Sequence, residues 1–338
     1  MINFYLIILV PLIFLVNRFL KNKKFLLNYT GQEHQIYTYK DQIPLSGGLF
    51  IFLFFIFNIN NFDLYFVIFL TFLYIFGLLV DLNKINSPSV RFVIQIIFLI
   101  SFILFFDLSV NDLRFSFING LLQNTYFNNF FVLFCLLVLI NGSNFIDGNN
   151  CLATGYFTII FISLFYLHLD GYLFYESKLL INFLILLIII LFFNSLNRIY
   201  LGDSGIYLLS LFTGFLIIDL FKNNPELSPY FMANLLWYPA FEILFSFIRK
   251  LIFKFSPMFP DTYHFHQLLF YFLSKKFLNK KIICNSLTGI IINIFNTIII
   301  FLATMNIFNT KIQISILVTS CLIYIFFYLI FFKFKKSF

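Results

Sequence analysis

Apolar runs of bilayer-crossing length follow one another along almost the whole chain, at 2–20, 46–61, 63–80, 89–106, 127–140, 151–169, 179–194, 205–221, 230–248, 283–305 and 312–332. A spanning helix needs about 20 apolar residues. In hydrocarbon every backbone N–H and C=O must be satisfied without water, which leaves helices as the form such runs can take. The chain therefore reads as an all-α polytopic membrane protein with about eleven transmembrane helices. Only 11% of the 338 residues are charged, against roughly 25% in a soluble domain. Neither an internal repeat nor a linker divides the chain, so residues 1–338 read as one integral membrane domain.

Placing the N-terminus outside puts 18 of the 22 Lys and Arg on the inner side: those of residues 18–40, the 81–91 connection, Arg198, the 249–282 stretch and the C-terminal tail. The positive-inside rule then predicts N-terminus out and C-terminus in, as an odd number of crossings requires. The net charge of +8 is read as loop topology, and no nucleic-acid partner is expected. Cys135, Cys151, Cys284 and Cys321 have no metal spacing and are expected as membrane-packed thiols without disulfides. The first run lacks a small-residue cleavage site before its basic flank and is expected to be retained.

The same orientation puts Glu33, Asp41, Asp81, Asp147, Asp203, Glu242 and Asp261 on the inner side. The last five stand at span ends or in short polar motifs. A carboxylate beside lipid is costly unless it faces water, a cation or a polar partner. Five of them at one membrane face suggest a single acidic site. The plainer alternative is that inner helix ends carry charges of both signs.

Five motifs line up on that face, on the inner loops near 21–46, 81–89, 141–150, 195–204 and 249–282. Ile43-Pro-Leu-Ser-Gly-Gly48 opens the second run, and paired glycines permit close backbone approach. Gly77-Leu-Leu-Val-Asp81 closes the third, where Asp81 is either a site residue or a helix-end partner of Lys84; Ser87-Pro88 fits a cap and first position of the next helix. Asn141-Gly-Ser-Asn-Phe-Ile-Asp-Gly148 is a polar loop between two uncharged runs. In Asn194-Ser-Leu-Asn-Arg-Ile-Tyr-Leu-Gly-Asp-Ser-Gly205, Asp203 is a hard-cation ligand or, with Ser204, a helix cap. Ser256-Pro-Met-Phe-Pro-Asp-Thr-Tyr-His-Phe-His-Gln267 carries two imidazoles better suited to a phosphate than to zinc, which would want a further His or Cys.

Together these motifs, in this order over residues 40–270, resemble the polyprenyl-phosphate N-acetylhexosamine-1-phosphate transferase family, and the His-x-His loop resembles its WecA-type branch more than its MraY-type branch. The resemblance implies transfer of an N-acetylhexosamine 1-phosphate, GlcNAc-1-phosphate by default, from a UDP-sugar to undecaprenyl phosphate. UMP is released and a lipid-linked surface glycan such as O-antigen is begun. It implies a bacterial cytoplasmic-membrane protein whose active site faces the cytoplasm, a need for Mg²⁺ with Mn²⁺ as a substitute, and a homodimer as in the MraY branch. By matching position it implies that Asp203 is the metal ligand and that Asp81, Asp147, His264 and His266 are catalytic. Asn141, Asn144, Asn194, Arg91 and Asp261 are expected at the substrate.

The chain departs from the family pattern at four places. Val80 stands where an aspartate usually precedes Asp81, and Asn150 stands for a second acid after Asp147. Thr262 replaces a basic residue, and Gln267 a histidine. A phosphate monoester is already anionic near neutral pH and needs little deprotonation to attack, so Asp203→Asn is expected to abolish turnover and Val80→Asp to be tolerated. Two other classes remain open: a transporter or flippase, which would keep its acids near span centres, and a relative that has lost its chemistry.

Overall fold

The computed structural model describes residues 4–28, 42–173, 176–254, 256, 261–276 and 281–336, with side chains from residue 8 on. Glu33, Lys40 and Asp41 of the first inner loop, and residues 257–260 and 277–280 of the last, lie outside the described residues. Among the described residues the fold has fourteen α-helices and no β-strand.

Eight helices are long and apolar enough to cross a bilayer: α3 (Leu64–Asp81), α4 (Pro88–Phe106), α6 (Thr125–Ile146), α7 (Leu152–Leu169), α8 (Ser177–Ser195), α9 (Gly202–Asn223), α13 (Lys281–Thr304) and α14 (Thr310–Lys336). The bent pair α10 (Pro229–Leu235) and α11 (Trp237–Ile252) makes a ninth if counted as one span. The other two apolar runs fold as α1 (Phe4–Lys23) and α2 (Gly47–Phe57). With 11 residues α2 rises only about 16 Å, about half the hydrocarbon thickness. Two short helices, α5 (Ser116–Leu122) and α12 (Phe265–Lys276), lie between the long ones. The protein is thus a multi-pass, all-α membrane protein.

The helices are arranged around α9. In its most apolar stretch 83% of the residues are buried, against 17% in α14 and 28% in α4, which face outward. Helices α2, α3 and α6 pack directly on α9. The axis of the bundle is therefore also the helix whose first turn carries Asp203.

Two elements differ from the sequence reading. The run at 230–248 is not one straight helix but two, bent by 75° around Leu236. Pro239 has no N–H to give the carbonyl of Leu235, and its ring would crowd that carbonyl in a continuous helix. The Tyr156 hydroxyl donates to the Leu235 carbonyl at 2.8 Å and accepts from Tyr238 N–H at 3.4 Å, so the break is satisfied from α7. The second difference is that α6 does not stop at Ile140 but runs on to Ile146. Its polar residues find partners in place: the Asn141 amide donates to its own Leu137 carbonyl and to Gln95 on α4. The expected cap and first position of α4 are present, with Ser87 accepting from Val90 N–H.

Candidate active site

Three motifs meet first through glycines. Gly47 and Gly48 N–H groups donate to the Tyr200 and Leu201 carbonyls, and Tyr200 N–H donates to Pro44. This lays the head of α2 along the segment entering α9. A Cβ on Gly48 would lie 2.6 Å from Gly205 N, and one on Gly77 2.4 Å from Ser204 Cα. Such contacts with backbone have no room to relax, so α2, α3 and α9 touch here only because these positions are glycine.

That closeness delivers Asp81 to the head of α9. Asp81 Oδ1 accepts Asp203 N–H at 2.8 Å; its Oδ2 accepts Ser204 N–H at 3.1 Å and the Ser204 hydroxyl at 2.7 Å. Neither Asp203 nor Ser204 caps α9; the capping carboxylate comes from α3, more than a hundred residues earlier in the chain, and is favoured by the positive end of the helix dipole. Gly202, at φ +72°, lies against it, and a Cβ there would be 2.7 Å from Asp81 Oδ2.

With its main-chain N–H held in this way, Asp203 turns its side chain to the other side. Oδ2 lies 4.0 Å from Arg91 Nη1, and Arg91 is steadied by its Nε donating to the Ile85 carbonyl at 2.8 Å. Asn144 and the Tyr207 hydroxyl lie alongside the carboxylate. Oδ1 is buried and accepts no hydrogen bond. Asp147 follows at the end of α6. Burial pushes its carboxyl well above the usual carboxylate range, and the charges of Asp203 and Asp81 push it further. The three acids therefore share one electrostatic neighbourhood. A buried carboxylate oxygen without a donor, beside two more carboxylates, is a donor set that a hard divalent cation fits. Among the described residues no group of three or more His, Cys, Asp or Glu side chains is gathered as a metal cluster. A Mg²⁺ ion that takes one or two protein carboxylates and completes its shell with phosphate oxygens and water does not need one.

The histidine segment approaches the same turn from the other side. A Cβ on Gly148 would lie 2.9 Å from His266 Nε2, and the Phe145 ring stands 5.1 Å from that of His264. The two imidazoles stack at 5.6 Å and 12°. His264 Nδ1 pairs with Glu242 at 3.0 Å, and its Nε2 is 3.6 Å from Asp261. Asp261 in turn accepts from Arg249 at 2.7 Å. His266 is buried with Nδ1 unpartnered, and burial lowers its pKa to about 4, so it is neutral at physiological pH. The 141–148 stretch thus carries Asp147 beside the other two acids and packs against the imidazoles.

Other expected site residues sit apart from this group. Asn194, 2% exposed, receives Cys151 N–H and donates to the Ile199 carbonyl, which joins the turn after Asp147 to the segment before Asp203. Asn141 ties α6 to α4 through Gln95. Both act in the structure as braces behind the site. Asn150 donates to Asn197 and Ser286, and Asn285 of α13 receives the Asn149 amide and Asn150 N–H.

Val80 is 2% exposed and lies in the apolar core. The expectation that Val80→Asp is harmless is corrected: a carboxylate there loses its hydration without a partner. The substitution should cost about 3 kcal/mol or more, read as a lower thermal midpoint in detergent than that of Val80→Ala. Equal midpoints would contradict this burial argument. The sequence places Glu242 among the acids of the inner face but gives it no role of its own, and leaves Tyr207 unmentioned. An acid seven residues before a basic pair, in an otherwise apolar run, was a signal for Glu242. Nothing in the sequence singled out Tyr207 among 19 tyrosines.

A multi-pass helical bundle with acids gathered at the head of its central helix is the setting for the comparisons with known proteins. Residues 63–221, just under half of the chain, match the family model described as glycosyl transferase family 4. A curated relative, named undecaprenyl-phosphate alpha-N-acetylglucosaminyl 1-phosphate transferase, from Thermotoga maritima, is 29% identical over 143 residues, 41% of this chain and 42% of the relative. The match thus spans less than half the length of that relative. The family segment includes Asp81, Arg91, Asn144, Asp147 and Asp203; the histidine segment lies beyond it. The resemblance read from the motifs to polyprenyl-phosphate N-acetylhexosamine-1-phosphate transferases is supported by both comparisons.

Proposed function

We propose that the chain transfers an N-acetylhexosamine 1-phosphate, GlcNAc-1-phosphate by default, from a UDP-sugar to undecaprenyl phosphate. The observation that carries this reading is the head of α9: three acids from α3, α6 and α9, one with an unpartnered buried oxygen, and two stacked imidazoles packed against the turn that carries Asp147. Acids at helix ends favour this over a transport path, which would place them in mid-span.

In the proposed reaction an oxygen of the lipid phosphate attacks the β-phosphorus of the UDP-sugar. The bond from that phosphorus to the bridging oxygen breaks, and UMP leaves with the electron pair. Positioning and electrostatic support supply most of the catalysis in such transfers. Asp203, with Asp147 beside it, would hold the Mg²⁺ (or Mn²⁺) that offsets the diphosphate charge. Asp81 acts by fixing the first turn of α9, and so the direction of the Asp203 side chain. Arg91 would be a cation for phosphate beside the acids, and His264 with Arg249 would provide donors at the histidine segment. The lipid tail stays in the bilayer while the nucleotide arrives from water, so the site belongs at a membrane face. On the charge asymmetry of the loops that face is the cytoplasmic one, with the N-terminus out, the C-terminus in and the protein in a bacterial inner membrane.

The test is UMP release by purified protein over a panel of UDP-N-acetylated sugars, with and without undecaprenyl phosphate and Mg²⁺, the lipid product being identified by mass. Release that needs both, with a product heavier by one N-acetylhexosamine phosphate, is expected. Release that ignores the lipid would exclude the reading.

A further inference from the structure

Glu242 is a buried acid of the inner face that the proposed reaction leaves without a task. It is 1% exposed, on α11, beneath the histidine segment. A carboxylate so deep persists only if its lone pairs are filled, and here they are. Oε1 receives His264 Nδ1 at 3.0 Å and Phe265 N–H at 3.2 Å; Oε2 receives the Tyr324 hydroxyl of α14 at 2.7 Å. One oxygen thus holds both the His264 ring and the first N–H of α12. The other is fixed by a tyrosine that stacks against Tyr328 at 6.2 Å, whose own hydroxyl donates to the Tyr263 carbonyl.

We propose that Glu242 is the positioning residue of His264: it fixes the ring so that Nδ1 carries a proton and faces the protein, leaving Nε2 for an oxygen of the substrate diphosphate. This rests on the function proposed above and deepens it. With Nδ1 committed to Glu242, Nε2 is the nitrogen turned toward the charged rim, 3.6 Å from Asp261 Oδ1 and too far for a hydrogen bond. In the imidazolium form both nitrogens donate, Nδ1–H to Glu242 and Nε2–H to an anion. Asp261 is held back from that place, its Oδ2 accepting from Arg249 at 2.7 Å and its Oδ1 from Tyr263 N–H at 3.2 Å. The stacked ring of His266 and the Phe145 ring flank His264, so the carboxylate sets the in-plane direction and the rings set the tilt.

Two measurements test this. The first is a double-mutant cycle on UMP release. Glu242→Gln should lower kcat/KM for the UDP-sugar about 100-fold in the wild-type background, but less than about 3-fold in a His264→Asn background; Glu242→Asp should recover part of the loss. Equal losses in both backgrounds would show that Glu242 supports the fold and not the ring. The second needs no turnover. In ¹⁵N spectra of histidine-labelled protein, the signal assigned by its absence in His264→Asn should report a protonated Nδ1, and should change in Glu242→Gln while that of His168 stays. An unchanged His264 signal would overturn the proposal. If wild-type protein releases no UMP, the functional reading fails by itself, and the spectra still decide the role of Glu242.

Discussion

Asp203→Asn should lower turnover by about three orders of magnitude or more, with the fold intact. The replacement is nearly isosteric. The bond that holds the head of α9 runs from the main-chain N–H of residue 203 to Asp81, so it survives the change. What is lost is a negative charge whose Oδ1 is buried and without a donor, next to Asp147 and Asp81. An amide binds a hard cation weakly, so the ion and the phosphates it offsets lose their anchor. The thermal midpoint should stay close to wild type or rise, because one of three crowded carboxylates has gone. Near-wild-type turnover of Asp203→Asn in saturating Mg²⁺ would remove Asp203 from the site. Turnover and midpoint falling together would mean that the residue is structural.

Gly77→Ala should be among the most damaging of the conservative changes. Its Cβ would stand 2.4 Å from Ser204 Cα and 2.7 Å from Ser204 N, both backbone of α9. Neither helix can yield locally: α3 and α9 are in contact along their length, and α9 is the most buried helix of the bundle. Separating them withdraws Asp81 from three hydrogen bonds, which leaves a buried carboxylate and two buried N–H groups unpaired. A loss of about 4 kcal/mol or more is expected, seen as little folded protein on size exclusion and a lower midpoint in whatever remains. Gly120→Ala is the matched control. It lies in α5 with nothing within 4 Å of its Cβ position, and should be neutral or stabilising by about 1 kcal/mol. Similar behaviour of the two variants would refute the close approach of α3 and α9.

Much of this arrangement was legible in the sequence because lipid permits so few solutions. Apolar runs had to be helices, and the Ser87-Pro88 pair had to begin one. The polar motifs could be set on one face from the Lys and Arg pattern alone. The joining of those motifs was not legible, because it depends on contacts between residues far apart. No local signal says that the cap of α9 is Asp81 and not Asp203 or Ser204; it follows from glycines on three helices letting their backbones meet. The extension of α6 to Ile146 depends on Gln95 satisfying Asn141 from another helix. The bend at Leu236 was readable in principle, since Pro239 cannot donate to the Leu235 carbonyl, but apolar character hid it. Asn194 was expected at the substrate by its matching position in the motif; that its amide is engaged by Cys151 N–H and the Ile199 carbonyl depends on contacts the motif does not show.

The account depends on phosphorus leaving the nucleotide together with the sugar. Purified protein in lipid nanodiscs, given UDP-GlcNAc labelled with ³²P in its β-phosphate, measures this directly. The account predicts label in the lipid phase only when undecaprenyl phosphate is present, and none with Asp203→Asn. Label that stays in the aqueous phase while UDP-GlcNAc is consumed would contradict it.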